Sequence, residues 1–172
     1  GEARAGGEMS MTRKAAIIGG GVIGGGWAAR FLLNGWNVSV FDPDPQAERK
    51  ISEVMANARA ALPALSDVPM PAEGVLSFAA TITEAVDGAD YIQESVSERL
   101  DLKHRVFAQI QQSAELGTPI GSSTSGFKPS ELQEGAANPS VIFVAHPFNP
   151  VYLLPLAEVV PSAKSDPVVI EN

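Results

Sequence analysis

The sequence predicts an α/β fold: a doubly wound, mostly parallel sheet covered by helices on both faces. Short β-prone runs alternate with helical stretches along the chain, and the first of these runs breaks into a glycine-rich turn. The 172 residues, 45% of them hydrophobic and 19% charged, suffice for one domain with a sizeable core. Such alternation implies right-handed crossovers between parallel strands, with ligands bound beyond the strands' carboxyl ends.

Lys14 to Ile18 (KAAII) is the first apolar run. It gives way to Gly19-Gly20-Gly21-Val22-Ile23-Gly24, after which Ile23, Trp27 and Phe31 recur at i, i+4 spacing before Gly35. That order spells strand, turn, helix and glycine stop. Asn37 to Asp42 is a second strand, Pro45 to Leu62 an amphipathic helix, and Pro63 to Gly74 a proline-rich loop. Val75 to Ala80, Tyr91 to Glu94, Ile120 to Ser122 and Val141 to Ala145 are further strands, and Ser97 to Leu116 is helical. Residues 1–12 read as a flexible amino-terminal extension and residues 13–172 as the domain proper.

With 12 basic against 20 acidic residues the formal charge is −8. A chain without a basic block lacks the footprint that phosphate backbones and anionic lipids require, so nucleic acid and membrane are not expected as partners. The absence of cysteine excludes disulfides, a thiolate nucleophile and iron–sulfur or cysteine–zinc sites, and no metal is expected. The longest apolar stretch, Ala15 to Ala29, carries six glycines in fifteen residues and is too short to span a bilayer. A cytoplasmic protein is therefore expected.

Context makes the glycine turn informative. Gly19-x-Gly21-x-x-Gly24 follows a predicted strand and opens a predicted helix, and Asp42 ends the next strand 18 residues beyond Gly24. This is the Rossmann dinucleotide fingerprint. Gly19 permits the tight turn, Gly21 lets the backbone approach a pyrophosphate, and Gly24 lets the helix pack on the strand. The free N–H groups around Gly20, Val22 and Ile23 face the phosphates. Asp42 offers two acceptors to the adenosine ribose, and its charge repels a 2′-phosphate, so NAD is favoured over NADP.

Of the two histidines, His104 falls on the helix beginning near Ser97, off the face made by Leu102, Val106, Phe107 and Ile110, and reads as a solvated helix residue. Lys103 projects into that apolar face, where it either snorkels or reaches a polar partner at the sheet edge. Glu98 suits a helix's first turn as well as a ligand contact. His146 closes the strand VIFVA at the ligand-binding edge and is held extended by Pro147, while Pro150 and Pro155 stiffen the segment after it. Twelve residues later Glu158 is the single charge in the run Leu153 to Val160. A carboxylate there is costly unless paired, and a histidine on the neighbouring strand would pair it. Beside a dinucleotide site, a histidine oriented by a carboxylate is a base suited to taking a hydroxyl proton. The turn Ser122-Ser123-Thr124-Ser125-Gly126 follows another strand at the same edge, where it could cap the helix beginning near Pro129 or present a hydroxyl to substrate.

From about Lys14 onward, the motifs IIGGGVIG, SVSERLDLK, SSTSG and HPFNPVYLLPLAEVV resemble the amino-terminal domain of the 3-hydroxyacyl-CoA dehydrogenase superfamily. The resemblance implies that Gly19, Gly21, Gly24 and Asp42 hold NAD, with Glu98 and Lys103 near its nicotinamide half. It also implies an active site of Ser125, His146, Asn149 and Glu158, with His146 the base, Glu158 its orienter, and Ser125 and Asn149 close enough to touch cofactor as well. Within the superfamily, HPFNPVYLLPL and STSGFKPSEL are most similar to the carnitine-oxidising members; gulonate dehydrogenases and the non-catalytic lambda-crystallins are close to them. The activity implied is NAD-dependent oxidation of the 3-hydroxyl of L-carnitine, with 3-hydroxyacyl-CoA thioesters the alternative substrates. Members of the superfamily continue into a helical carboxy-terminal domain that supplies dimer contacts and substrate walls. That domain is expected to lie beyond Asn172, with a homodimer forming through it.

Overall fold

The structure is a computed structural model describing residues 12–154 and 157–171; the extension read over residues 1–12 therefore lies, apart from Thr12, outside the described residues, as does Pro155. Its frame is a seven-stranded sheet. The strands are β1 (Lys14–Ile18), β2 (Asn37–Phe41), β3 (Leu76–Phe78), β4 (Tyr91–Glu94), β5 (Ile120–Ser122), β6 (Ile142–Pro147) and β7 (Ala157–Val160), in the spatial order β3-β2-β1-β4-β5-β6-β7. Every pairing is parallel except β6 with β7, which is antiparallel. The helices are α1 (Val22–Leu33), α2 (Ala47–Leu65), α3 (Ile82–Val86), α4 (Leu100–Ser113), α5 (Pro129–Leu132) and α6 (Pro167–Glu171).

β1 shows why the sheet is covered on both faces. Its side chains alternate, so Ala15 and Ile17 enter a core with α1 and α2, while Ala16 and Ile18 enter one with α3 and α4. All four are fully buried. In the first core, Ile51, Met55, Ala58 and Leu62 of α2 meet Ala28, Ala29 and Leu32 of α1, and each large side chain so buried contributes about 1.5–3 kcal/mol. The stripe Ile23, Trp27 and Phe31 is not the face that α1 buries most deeply. That face is Gly24, Gly25, Ala28, Ala29, Leu32 and Leu33, and the aromatic stripe stays half-buried, with Trp27 stacked on Phe31.

Several boundaries differ from those the sequence predicts. The second helix runs three residues further, through Pro63 to Leu65, although Pro63 has no N–H to donate to the carbonyl four residues earlier. Accordingly, the proline-rich loop begins after Leu65. The third strand contracts to Leu76–Phe78, and the long helix to Leu100–Ser113. The sixth strand extends to Pro147, since its ladder with β7 continues there, and His146 sits within the strand rather than beyond it.

The turn between β1 and α1 is built on backbone proximity. Gly19 has φ +100°, a left-handed conformation that favours glycine, and a Cβ on Gly24 would lie 1.7 Å from the Gly19 carbonyl oxygen. Gly24→Ala is therefore expected to destabilise the fold by about 3 kcal/mol, read as a lower urea midpoint at unchanged m. A shift within error would show that the helix can move off the strand at no cost.

Candidate active site

The carboxyl ends of β4, β5 and β6 converge on one cleft of about 450 Å³. Ile23 of α1 forms one wall, Lys103 and Glu98 another, and Ser123, Ser125, His146 and Asn149 the side facing the last strands. A second hollow of about 400 Å³ opens beside it, lined by Thr124, Phe127, Val144 and Glu158. Ser125 and His146 line both spaces, so they form the partition between them. A larger hollow, about 550 Å³, lies among Trp27, Phe31, Trp36, Tyr91 and Phe143 at the strands' amino ends, on the side away from the glycine turn.

The glycine turn is shaped for a dinucleotide. Gly21 is the N-cap of α1 and no side chain caps the helix, leaving the first N–H groups free. A Cβ on Gly21 would meet nothing within 4 Å, so the space above the helix terminus is open to a phosphate. Asp42 Oδ2 accepts from the Gly20 N–H, and Oδ1 accepts from the Asp44 N–H at 2.7 Å. A carboxylate has about four lone-pair positions, so both oxygens retain capacity for ribose hydroxyls.

Lys103 does not snorkel but reaches a polar partner at the sheet edge. It is 1% exposed, and its Nζ donates to Glu94 Oε1 at 2.7 Å and to the Val96 carbonyl at 3.3 Å. Glu94 is itself fully buried at the end of β4, accepting from the Val96 N–H at 2.8 Å and from Ser122 Oγ at 2.5 Å. One residue earlier, Gln93 accepts from Tyr91 Oη at 2.5 Å and donates to Ser123 Oγ at 2.7 Å, and that hydroxyl also bonds Ser95 Oγ at 2.7 Å. Desolvation pushes the Tyr91 phenol above its ordinary range, keeping it a donor. Sequence reasoning missed both Gln93 and Glu94. The signal available was two polar residues ending an otherwise apolar strand, Glu94 in register with Ile18 just before the glycine turn.

Glu98 is exposed yet engaged, accepting from Thr124 Oγ1 and from the Ser125 N–H at 3.2 Å, and so fixes the hydroxyl-rich turn against the start of α4. That turn does not cap α5, whose N-cap is Lys128. Thr124 Oγ1 instead accepts from the Phe127 N–H at 3.2 Å within the turn. Ser125 is left exposed in the partition. His104, expected in solvent, is half-buried, and its Nε2 donates to the Glu131 carbonyl at 2.7 Å, tying α4 to α5.

His146 and Glu158 are cross-strand partners in the β6–β7 ladder and line the same hollow. They share a face of the sheet but no hydrogen bond joins their side chains, and Glu158 is exposed rather than buried in an apolar run. β7 is an edge strand, so its outward residues meet solvent and the run's hydrophobicity does not bury its carboxylate. The His146 ring instead stands edge-on to Phe148, with centroids 6.1 Å apart.

A helix-opening glycine turn, a strand-end aspartate and a histidine across the cleft define a Rossmann-type dinucleotide-binding domain of the dehydrogenase class. More particularly, the chain belongs to the 3-hydroxyacyl-CoA dehydrogenase NAD binding domain family, whose model matches residues 14–172, and NAD is the cofactor of that family. It is 69% identical over 158 residues to an L-carnitine dehydrogenase/betainyl-CoA thioesterase of Ruegeria pomeroyi, covering 92% of this chain and 32% of the relative. It is 57% identical over 164 residues to an L-carnitine dehydrogenase of Mesorhizobium japonicum, covering 95% and 45% respectively. Among solved structures, an NAD+-dependent dismutase, FHMPC 5-dehydrogenase, superposes with TM-score 0.85 at 32% identity over 94% of this chain and 52% of that one. The 3-hydroxybutyryl-CoA dehydrogenase of Escherichia coli K12 does so with TM-score 0.80 at 25% identity over 93% and 34%. The chain thus spans less than half the length of the curated relatives it matches.

The buried pair has a measurable cost if broken. Lys103→Met, which leaves Glu94 without its counter-charge, is expected to lower unfolding free energy by about 3–5 kcal/mol in chemical denaturation. A loss below about 1 kcal/mol would mean that the pair is relaxed or solvated in solution.

Proposed function

We propose that the protein carrying this domain oxidises the 3-hydroxyl of L-carnitine to 3-dehydrocarnitine. The observation that carries this reading is the identity of 69% and 57%, over nearly the whole chain, to proteins named for that dehydrogenase. Bound NAD supplies the acceptor for the hydride leaving the substrate carbon. The chain's own residues bind, orient and move the proton. The open N–H groups of the α1 terminus hold the pyrophosphate, and Asp42 holds the adenosine ribose. His146, in the partition between the two spaces, takes the hydroxyl proton as the carbonyl forms, and Ser125 and Asn149 hold the reacting oxygen and the cofactor's edge. Glu158, across the ladder from His146, offsets the imidazolium charge without a direct hydrogen bond.

Charge supports the choice of a compact cationic substrate over a coenzyme A thioester. The stretch from Asp42 to Ala80 carries three basic and six acidic residues. Each of the three cations is already engaged: Arg49 with Glu53, Lys50 with Asp44 at 2.5 Å, and Arg59 with Glu73 at 2.7 Å. The stretch therefore presents no net positive charge to the phosphates of coenzyme A.

His146→Ala in the full-length protein is expected to lower kcat by roughly 10²- to 10⁴-fold while NAD affinity stays near wild type, and Glu158→Gln to lower kcat by a smaller factor. Near-normal turnover in His146→Ala would remove this residue as the base. NADH formation with L-carnitine, L-gulonate and 3-hydroxybutyryl-CoA in parallel tests the substrate; the expected order of kcat/KM places L-carnitine first, and a higher value for the thioester would overturn the assignment.

A further inference from the structure

The carboxylate of Glu94 has no place in the chemistry described above, yet it is among the most completely enclosed charges in the molecule. It lies at the carboxyl end of β4, 0% exposed, and its two oxygens accept from three donors: Lys103 Nζ, the Val96 N–H and Ser122 Oγ. Those donors come from α4, from the loop after β4 and from β5, so three separate elements hold the carboxylate in one place. A carboxylate anchored this way fixes Lys103 in turn. Two of the three ammonium hydrogens are committed, to Glu94 Oε1 at 2.7 Å and to the Val96 carbonyl at 3.3 Å, which leaves one uncommitted on a side chain that lines the cleft.

An ammonium of this kind would by itself put a positive charge into the wall of the cleft. The nicotinamide ring is cationic in NAD+ and neutral in NADH, so an uncompensated cation beside its binding space would disfavour the oxidised form. Other charged or titratable groups on that cleft are Glu98, engaged with Thr124 and Ser125, and His146 in the partition. Neither is an ion-pair or hydrogen-bond partner of Lys103. Among the described residues, Glu94 is the carboxylate that sits against it.

We propose that Glu94 is a positioning residue that makes the Lys103 wall of the cleft a hydrogen-bond donor without net charge, so that NAD+ is not penalised relative to NADH. Glu94 acts through Lys103 and touches neither cofactor nor substrate. The proposal rests on the reading that this cleft receives the nicotinamide half of NAD.

The experiment measures the dissociation constants of NAD+ and NADH, by calorimetry and by NADH fluorescence, in full-length wild type, Glu94→Gln and Glu94→Gln/Lys103→Met. Both constants are measured at about pH 6, where the unpaired Lys103 amine is held protonated. Glu94→Gln keeps the side chain's shape and takes away the counter-charge. It is expected to weaken NAD+ about tenfold more than NADH, the scale of two like charges meeting in a partly desolvated site. The double variant removes both charges, and its ratio of the two constants is expected to return to within about threefold of wild type while both cofactors bind more weakly for want of the Lys103 donor. A purely structural role for Glu94 would weaken both cofactors equally, so an unchanged ratio in Glu94→Gln overturns the proposal. Should Glu94→Gln fail to fold, the double variant decides alone: a ratio displaced tenfold from wild type in either direction overturns the claim that the pair is neutral toward the ring. Wild type binding neither NAD+ nor NADH would instead sink the cofactor reading itself, an outcome distinct from all of these.

Discussion

The contact of Gly24 with the carbonyl of Gly19 is the constraint on which the rest depends. It lets α1 lie directly against the end of β1, and that placement brings Ile23 of the helix to the space where three strand ends meet. A side chain at Gly24 would tilt or withdraw the helix, and with it Ile23, the cleft's near wall. The close approach is also why the deeply buried face of α1 begins with glycine and alanine, from Gly24 to Ala29, rather than with the larger aromatic stripe. Small residues bring backbones together; the large ones are displaced to the margin.

Around that contact the site is assembled from short segments that are far apart in sequence. β4 contributes an acidic end, β5 a hydroxyl-rich end and β6 a histidine, and parallel pairing brings these ends to a common edge. Polar residues there would be costly if left unpaired. The two buried networks, Glu94 with Lys103 and Ser122, and Gln93 with Tyr91 and Ser123, satisfy them within the sheet. The switch to antiparallel pairing at β7 is what sets Glu158 opposite His146.

Much of this is legible in the amino-acid order. Strand and helix alternation, the glycine fingerprint and the Asp42 spacing are local patterns, and the sheet, the first turn and the family agree with them. The features that escape such a reading are non-local. A polar partner at the sheet edge is one of the two fates the sequence leaves open for Lys103, but an apolar-face projection does not identify it as the carboxylate nine residues earlier, on another element. Glu158 misleads for the opposite reason: its apolar neighbours suggest burial, but burial is set by which strands flank β7, and one flank is open. Pro63 reads as a helix stop because proline usually is one, yet the helix continues two residues beyond it.

The geometry of Asp42 bears on how readily the site takes a ligand. Its carboxylate is tethered through one oxygen to the glycine turn and through the other to the loop that leads into α2. A free aspartate would have to surrender rotamer freedom on meeting a ribose, a loss of about 0.5–1.5 kcal/mol for an immobilised side chain. Here folding has already removed that freedom. On the proposed reading of Asp42 as the partner of the adenosine ribose, that contact is rigid before any molecule arrives, and the entropy of ordering falls on the ligand.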